Sequence, residues 1–471
     1  MKIGLYGIGL DTYWDQFEGL FERLQGYQQG IADRLEQYDG VAVVNTGIVD
    51  TPERARETGK ALATEGVDLI ILYVSTYALS STVLPVVQRL KVPVIVLNLQ
   101  PVAAIDYEAF NAIGDRGVMT GEWLAHCQAC SAPEIACVFN RAGIDYHMVT
   151  GVLDQDDAWQ EIGDWVQAAK VASALRDSRL GVLGHHYCGM LDVYSDLTQL
   201  SAVFGTHFEL LEMCELHRYW EEVDGATLRK KRDQFSEDFD VDPQCSETEL
   251  DRSARTSVAL DRLVQENRLD VMAYYYEGQP GNDRENIATS VIAGNTLLTM
   301  HGVPVAGECE IKNAIAMKIM DLLECGGSFS EFYLMDFDDD VVLLGHDGPA
   351  HAAIAEGPVG LVPVPVYHGK PGTGLSIQMT VKHGPVTLLS VVEAGEGKVR
   401  LLIAEGESVA GPVMQIGNTN SRYRFSIGAK AFVNNWTTEG PAHHMAIGTG
   451  HVASKIEKLG ALLGLGCCRV C

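Results

Sequence analysis

Short runs of Val, Ile and Leu without polar alternation punctuate the first hundred residues, at Lys2–Tyr6, Val41–Asn45, Leu69–Val74 and Val92–Leu97. A strand covered on both faces has this signature, because neither side meets water. Longer amphipathic stretches lie between them. In Trp14–Leu35 the apolar residues Phe17, Leu20, Phe21 and Leu24 recur at i, i+3, i+4 and i+7, which predicts a helix. Pro52 opens another at a first-turn position, where its missing N–H is no loss. This βαβα order predicts an open parallel sheet with helices on both faces, and ligands beyond the carboxyl ends of its strands.

A second α/β unit is predicted from Arg179–Gly184, with further strands at Val271–Tyr276 and Val303–Gly307. The acidic stretch Gln234–Glu249 between them reads as a loop or an exposed helix connection. Past about residue 340 the character changes. Val341–Leu344, Leu361–Val366, Leu375–Val381, Val386–Glu393, Lys398–Ala404 and Arg422–Ser426 are short strand-like segments separated by Gly and Pro, which reads as an antiparallel barrel or sandwich. A helix is predicted at Val452–Leu463. At roughly 150 residues per domain, the length suggests about three domains. Their boundaries fall at 1–175 and 176–335 for two α/β sandwich (Rossmann-like) domains, and 336–471 for a β-barrel-like C-terminal domain.

Composition narrows the partners. The chain carries 63 acidic against 35 basic side chains, a net charge of -28, which repels nucleic acid and anionic membrane. No apolar run reaches the roughly 18 residues of a membrane helix. The N-terminus lacks the basic and apolar regions of a signal peptide, and eleven cysteines cannot all pair, so a reducing cytoplasm is expected. After the first strand, Gly7-Ile8-Gly9 is followed by Thr12 where a dinucleotide fingerprint needs its third glycine. No G-x-S-x-G elbow is present. Cys127 and Cys130, with Cys467, Cys468 and Cys471, could supply thiolates to zinc or could simply pack.

Three clusters hold ligands for a hard or borderline cation. They are Gly307-Glu308-Cys309-Glu310, the acidic stretch from Glu331 through Asp336–Asp340 to His346 and Asp347, and Ala442-His443-His444. Two carboxylates with two imidazoles suit Mn²⁺, Fe²⁺, Co²⁺ or Zn²⁺ and leave positions open for substrate. Each cluster also fits a structural role: Glu308 as a helix cap, the acidic run as a solvated loop, the histidines as a bonded turn.

The order of these segments resembles the L-arabinose and L-fucose isomerase superfamily. Gly307–Ala314 is similar to the family segment holding its first metal carboxylate, and Gly326–Tyr333 to the segment holding the second. Leu344-Gly345-His346 and Gly440–His444 resemble its two histidine segments, and Gly114-Asp115-Arg116 a loop near the sugar. The resemblance implies fucose isomerase-type α/β domains and aldose–ketose isomerisation through an ene-diol on a pentose or deoxyhexose. It implies Glu308 and Glu331 as the acid/base pair, and Glu308, Glu331, His346 and His444 as ligands of Mn²⁺ or a neighbouring divalent ion. His443, Tyr13, Trp14, Gln16, Gln100, His186 and Met190 become candidate sugar contacts, each of which could equally serve packing. Active sites would form at subunit interfaces of a homotrimer or homohexamer.

The chain departs from the pattern at two positions. Ile113 stands where arabinose isomerases carry a sugar-contacting histidine, and Phe332 where they carry an aspartate after the second glutamate. The segment between Glu331 and His346 is also slightly shorter. Two rival expectations follow: a sugar-binding homologue that no longer turns substrate over, and an epimerase using the same ene-diol chemistry.

Overall fold

A computed structural model describes residues 1–277, 281, 283–367 and 372–471. The chain divides into two compact units, Met1–Ser173 and Ala174–Cys471.

The first unit holds a five-stranded sheet, β1 (Lys2–Ile8), β2 (Ala42–Val49), β3 (Leu69–Tyr73), β4 (Val94–Gln100) and β5 (Tyr146–Val152), in the order β2-β1-β3-β4-β5. Every pairing in it is parallel. All five residues of β3 are buried, as the unbroken apolar run requires. The strand β5 has no such run: Tyr146, His147, Thr150 and Gly151 dilute it.

The predicted Trp14–Leu35 helix is corrected. A short 3₁₀ turn at Asp11–Tyr13 comes first, and the α-helix spans Leu20–Leu35. Gly19, at φ 78°, provides the left-handed break between them. Trp14 is taken up elsewhere: its indole N–H donates to Asp50 Oδ2 at 2.9 Å and its ring meets Phe21 edge-on.

In the second unit, a four-stranded parallel sheet runs β10-β9-β6-β7, from β6 (Arg179–Gly184), β7 (His207–Leu211), β9 (Val271–Tyr275) and β10 (Val305–Ala306). The acidic stretch expected as a loop or an exposed helix connection joins two helices. It spans the end of helix Gly225–Asp238, the two-residue β8 (Asp240–Val241) and the start of helix Glu247–Asn267. Asp224 and Ser246 cap these helices by accepting from backbone N–H groups of the first turns, which offsets the low apolar content between them.

The remaining strands are β11 (Gly326–Asp336), β12 (Val341–His346), β13 (Gly360–Val364), β14 (Gly374–Gln378), β15 (Gly384–Ala394), β16 (Lys398–Val409), β17 (Thr419–Arg424), β18 (His444–Thr449) and β19 (Gly466–Arg469). Seven form a mixed sheet in the order β15-β18-β11-β12-β17-β16-β19, with β15 also pairing to β16. The other two join β8 in a small sheet, β14-β13-β8. Val342, Leu388, Leu402, Ile447 and Trp436 form part of the core beneath the large sheet. The helix Ile311–Leu322 is buried from Ile311 through Met320 and packs against β11, β15 and β18. Burial on all sides fixes where its N-terminus lies, and that terminus carries Glu308 and Glu310. Among the described residues no helix is long and apolar enough to cross a membrane.

Candidate active site

Glu308 sits in the turn between β10 and the helix Ile311–Leu322. It and Cys309 both hold φ 56°, the left-handed region that a side chain disfavours by roughly 1–2 kcal/mol per residue. Such a conformation persists only where its surroundings over-determine it. Four contacts do so: Cys309 N–H donates to Tyr274 O at 2.8 Å, Glu310 N–H to Gly307 O at 3.0 Å, Tyr187 N–H to Glu308 O at 3.3 Å, and His186 Nδ1–H to Cys309 O at 3.0 Å. Gly307 is closely packed. A Cβ there would lie 3.2 Å from the Phe329 ring.

Strand pairing brings the other groups in. Glu331 on β11 lies opposite His444 on β18, and opposite Gly345 on β12, next to His346. Glu331 therefore lies on a strand, with a turn at 337–340 beyond its end, and the turn read at Gly440–His444 passes into a strand at His444. The Phe329 ring contacts both His346 and His444, at centroid distances of 4.4 and 4.3 Å. The two imidazoles are 5.2 Å apart.

The distances converge on Glu308 Oε2. It lies 3.5 Å from His444 Nε2 and 3.3 Å from His443 Nε2, while His443 Nε2 lies 4.0 Å from Glu331 Oε2. Glu308, His443 and His444 each offer one ligand atom within 4.8 Å of the others. Two of these atoms, Glu308 Oε2 and His444 Nε2, are buried without a hydrogen-bond partner. A buried, unbonded carboxylate oxygen facing a buried, unbonded imidazole nitrogen is costly unless something binds both. A divalent cation taking mixed N/O ligands fits this donor set.

Each histidine has a carboxylate behind it. His444 Nδ1 lies 2.7 Å from Glu310 Oε2, and both side chains are buried. His443 Nδ1 lies 2.5 Å from Asp192 Oδ2, and the His443 backbone N–H reaches the same oxygen at 3.1 Å. Burial works against the charged form of His443, but the nearby carboxylates of Glu308 and Asp192 outweigh it and lift its pKa to about 9. Burial also opposes the charged form of Asp192, yet its bonds to His443 hold its pKa below the usual carboxylate value. For His186 burial prevails and lowers the pKa, only partly opposed by the bond to Cys309 O.

Two phenols feel the charges of the site carboxylates. Burial, then the charges of Glu308 and Asp347, push the Tyr274 pKa up, and burial followed by Glu331 and Asp347 does the same to Tyr333. These hydroxyls stay protonated and can donate at any working pH.

Of the residues singled out from sequence, the second unit brings together Glu308, Glu331, His346, His443 and His444. His186 joins them through Cys309. Met190 is half-buried in the same loop, bonded through its backbone to Tyr187 and Val193. Tyr13, Trp14, Gln16 and Gln100 belong to the first unit. There Tyr13 packs edge-on against Trp14 and Phe17, Gln16 lines a cleft of about 560 Å³, and Gln100 Nε2 donates to Val102 O at 2.6 Å. Cys127 and Cys130 are joined by a disulfide, which removes both thiolates from the zinc reading. Asp192, Lys312 and the supporting role of Glu310 were not anticipated. Glu310 had a signal in its two-residue spacing from Glu308; Asp192, 251 positions from His443, had none.

Comparison with known proteins points to one group. Residues 345–470 match the family described as "L-fucose isomerase, C-terminal domain". The chain is 23% identical over 439 residues to an L-arabinose isomerase of Nocardioides sp., covering 88% of this chain and 83% of that one. It is 22% identical over 338 residues to a sulfoquinovose isomerase of Alkalicoccus urumqiensis, covering 68% and 71%. A solved solute-binding protein of Agrobacterium vitis with bound D-fucose aligns at 9% identity over 69% of this chain and 88% of that one, with a TM-score of 0.15.

Proposed function

Because residues 345–470 match the L-fucose isomerase C-terminal domain and the chain is similar to an L-arabinose and a sulfoquinovose isomerase, we propose that it is a metal-dependent aldose–ketose isomerase acting through an ene-diol on a pentose or deoxyhexose of the L-arabinose or L-fucose type. The observation carrying this reading is the approach of Glu308, Glu331, His443 and His444 to within 4.0 Å of a neighbour across the same gap. Glu308, Glu331, His346 and His444 would hold Mn²⁺ or a related divalent ion. Such an ion supplies charge stabilisation for the negative charge that grows on O1 and O2.

The chain's own groups account for the proton movements. One carboxylate of the Glu308–Glu331 pair removes the C2 proton while O1 gains one, giving the ene-diol. Loss of the O2 proton and return of a proton to C1 then give the ketose. Two carboxylates beside one substrate divide acid and base work when their surroundings separate their proton affinities. Here the surroundings differ: Glu308 faces two imidazoles and Tyr274, and Glu331 faces His443 and Tyr333. In this reading Tyr333, which carries its proton, would donate to a sugar hydroxyl.

The direct test incubates Mn²⁺-loaded protein with L-arabinose, L-fucose and sulfoquinovose and follows ketose by NMR. Ketose formation abolished by a chelator and restored by Mn²⁺ is the expected result. A C2-epimeric aldose as the sole product would replace this reading with epimerisation. We further propose a trimer or hexamer, for which light scattering on the eluted protein is the check, and we read the β15-β18-β11-β12-β17-β16 circuit as the barrel-like domain expected from sequence.

A further inference from the structure

Residues 185–196 connect β6 to the helix Leu197–Phe204, and they are bonded to the Glu308 segment at both ends. At the first end, His186 and Tyr187 reach the carbonyls of Cys309 and Glu308. At the second, the buried ammonium of Lys312 donates to Asp192 O at 2.8 Å, Tyr194 O at 3.0 Å and Ser195 Oγ at 3.3 Å. A buried ammonium has three donors to satisfy, and residues 192–195 supply three acceptors. The backbone at Asp192 is thereby tied to the first turn of the helix that follows Glu308.

We propose that Asp192 is a positioning residue, which fixes the His443 imidazole between Glu308 and Glu331 from a loop clamped by Lys312. The inference rests on the isomerase reading of this site. Asp192 Oδ2 accepts from both the backbone N–H and the Nδ1–H of His443, at 3.1 and 2.5 Å, so main chain and ring plane are held together. With Nδ1 committed to the carboxylate, Nε2 is the nitrogen presented to Glu308 Oε2 at 3.3 Å and Glu331 Oε2 at 4.0 Å. Both partners are partly exposed, and an exposed pair of freely moving side chains contributes little. The clamp changes that, because Asp192 arrives on backbone already fixed by a buried cation. The arrangement parallels the Glu310–His444 pair, but serves the histidine that faces substrate.

The test is a double-mutant cycle on Mn²⁺-loaded protein with Asp192→Asn, His443→Asn and the pair. If Asp192 acts through His443, Asp192→Asn lowers kcat/KM by about 10–100-fold, as removing a histidine's orienting partner generally does. The double variant then falls no further than His443→Asn, because one interaction has been removed twice. The proposal makes His443 a group that faces substrate rather than a ligand, so Mn²⁺ affinity, read by calorimetry, stays within about twofold of wild type in Asp192→Asn. A merely structural role would instead make the two losses multiply. Multiplying losses, or an Asp192→Asn variant as active as wild type, overturn the proposal. Failure of wild type to form ketose from any aldose would sink the isomerase reading itself. Asp192 is then judged from a crystal structure of Asp192→Asn: a His443 ring rotated away from Glu308 supports the positioning role, and a ring left in place refutes it.

Discussion

Glu310 Oε2 lies 2.7 Å from His444 Nδ1, with both side chains buried in the second unit. The carboxylate holds the Nδ1–H tautomer and leaves Nε2 facing Glu308. Outer partners of this kind orient a ligand histidine and raise its basicity. Glu310→Ala is therefore expected to weaken Mn²⁺ binding by about 10–100-fold while the Glu308 and Glu331 carboxylates remain. Calorimetric titration reads this directly, and an unchanged affinity would remove Glu310 from the site.

Gly348 offers a way to move one imidazole without altering its chemistry. A Cβ at this position would lie 2.7 Å from His346 Nδ1. Gly348→Ala must displace the ring or the backbone, at a stability cost of about 1–3 kcal/mol typical of overpacking. If His346 is a ligand, metal affinity falls with the displacement. A variant that is destabilised yet binds Mn²⁺ as wild type does would place His346 outside the ligand set.

The folded state carries a pH dependence independent of catalysis. His351 is buried, and burial lowers its pKa, with Asp321 opposing only in part. The unfolded chain takes up this proton near 6.5, while the folded chain does so at lower pH. Stability is thus lost as pH falls below that value, levelling once the folded histidine also protonates. Urea titrations from pH 7 to pH 5 should show a smaller loss in His351→Gln than in wild type. Parallel curves for the two proteins would contradict this assignment.

Cys127 and Cys130 are bonded to each other, leaving nine free cysteines. Denaturing the protein without reductant and alkylating it should label nine thiols, with eleven labelled after reduction. Eleven labelled in both cases would show that the bridge does not form.

Much of the architecture was legible because burial on both faces leaves an unmistakable apolar run, as in Leu69–Tyr73. The strands β11 and β18 were harder, since their polar site residues interrupt the pattern: Glu331 and His444 read as loop residues until pairing placed them opposite one another. The helix start at Leu20 was missed because Trp14 and Phe17 have helical spacing but are consumed by the aromatic cluster and the Asp50 bond. The ligand candidates were legible from residue type and the resemblance. Their supports were not: Lys312 reads as an ordinary helix cation, and nothing local shows that it is buried against the loop carrying Asp192.

The central claim is that Glu308, Glu331, His346 and His444 hold one divalent ion on which isomerisation depends. The most direct measurement is the metal content of wild type and Glu308→Ala, each loaded with Mn²⁺ and freed of unbound ion. Circular dichroism confirms that both are folded. One tightly held ion per chain in wild type, lost in Glu308→Ala together with ketose formation, is the expected result. Wild type that retains no ion, or Glu308→Ala that retains it undiminished, would contradict the account.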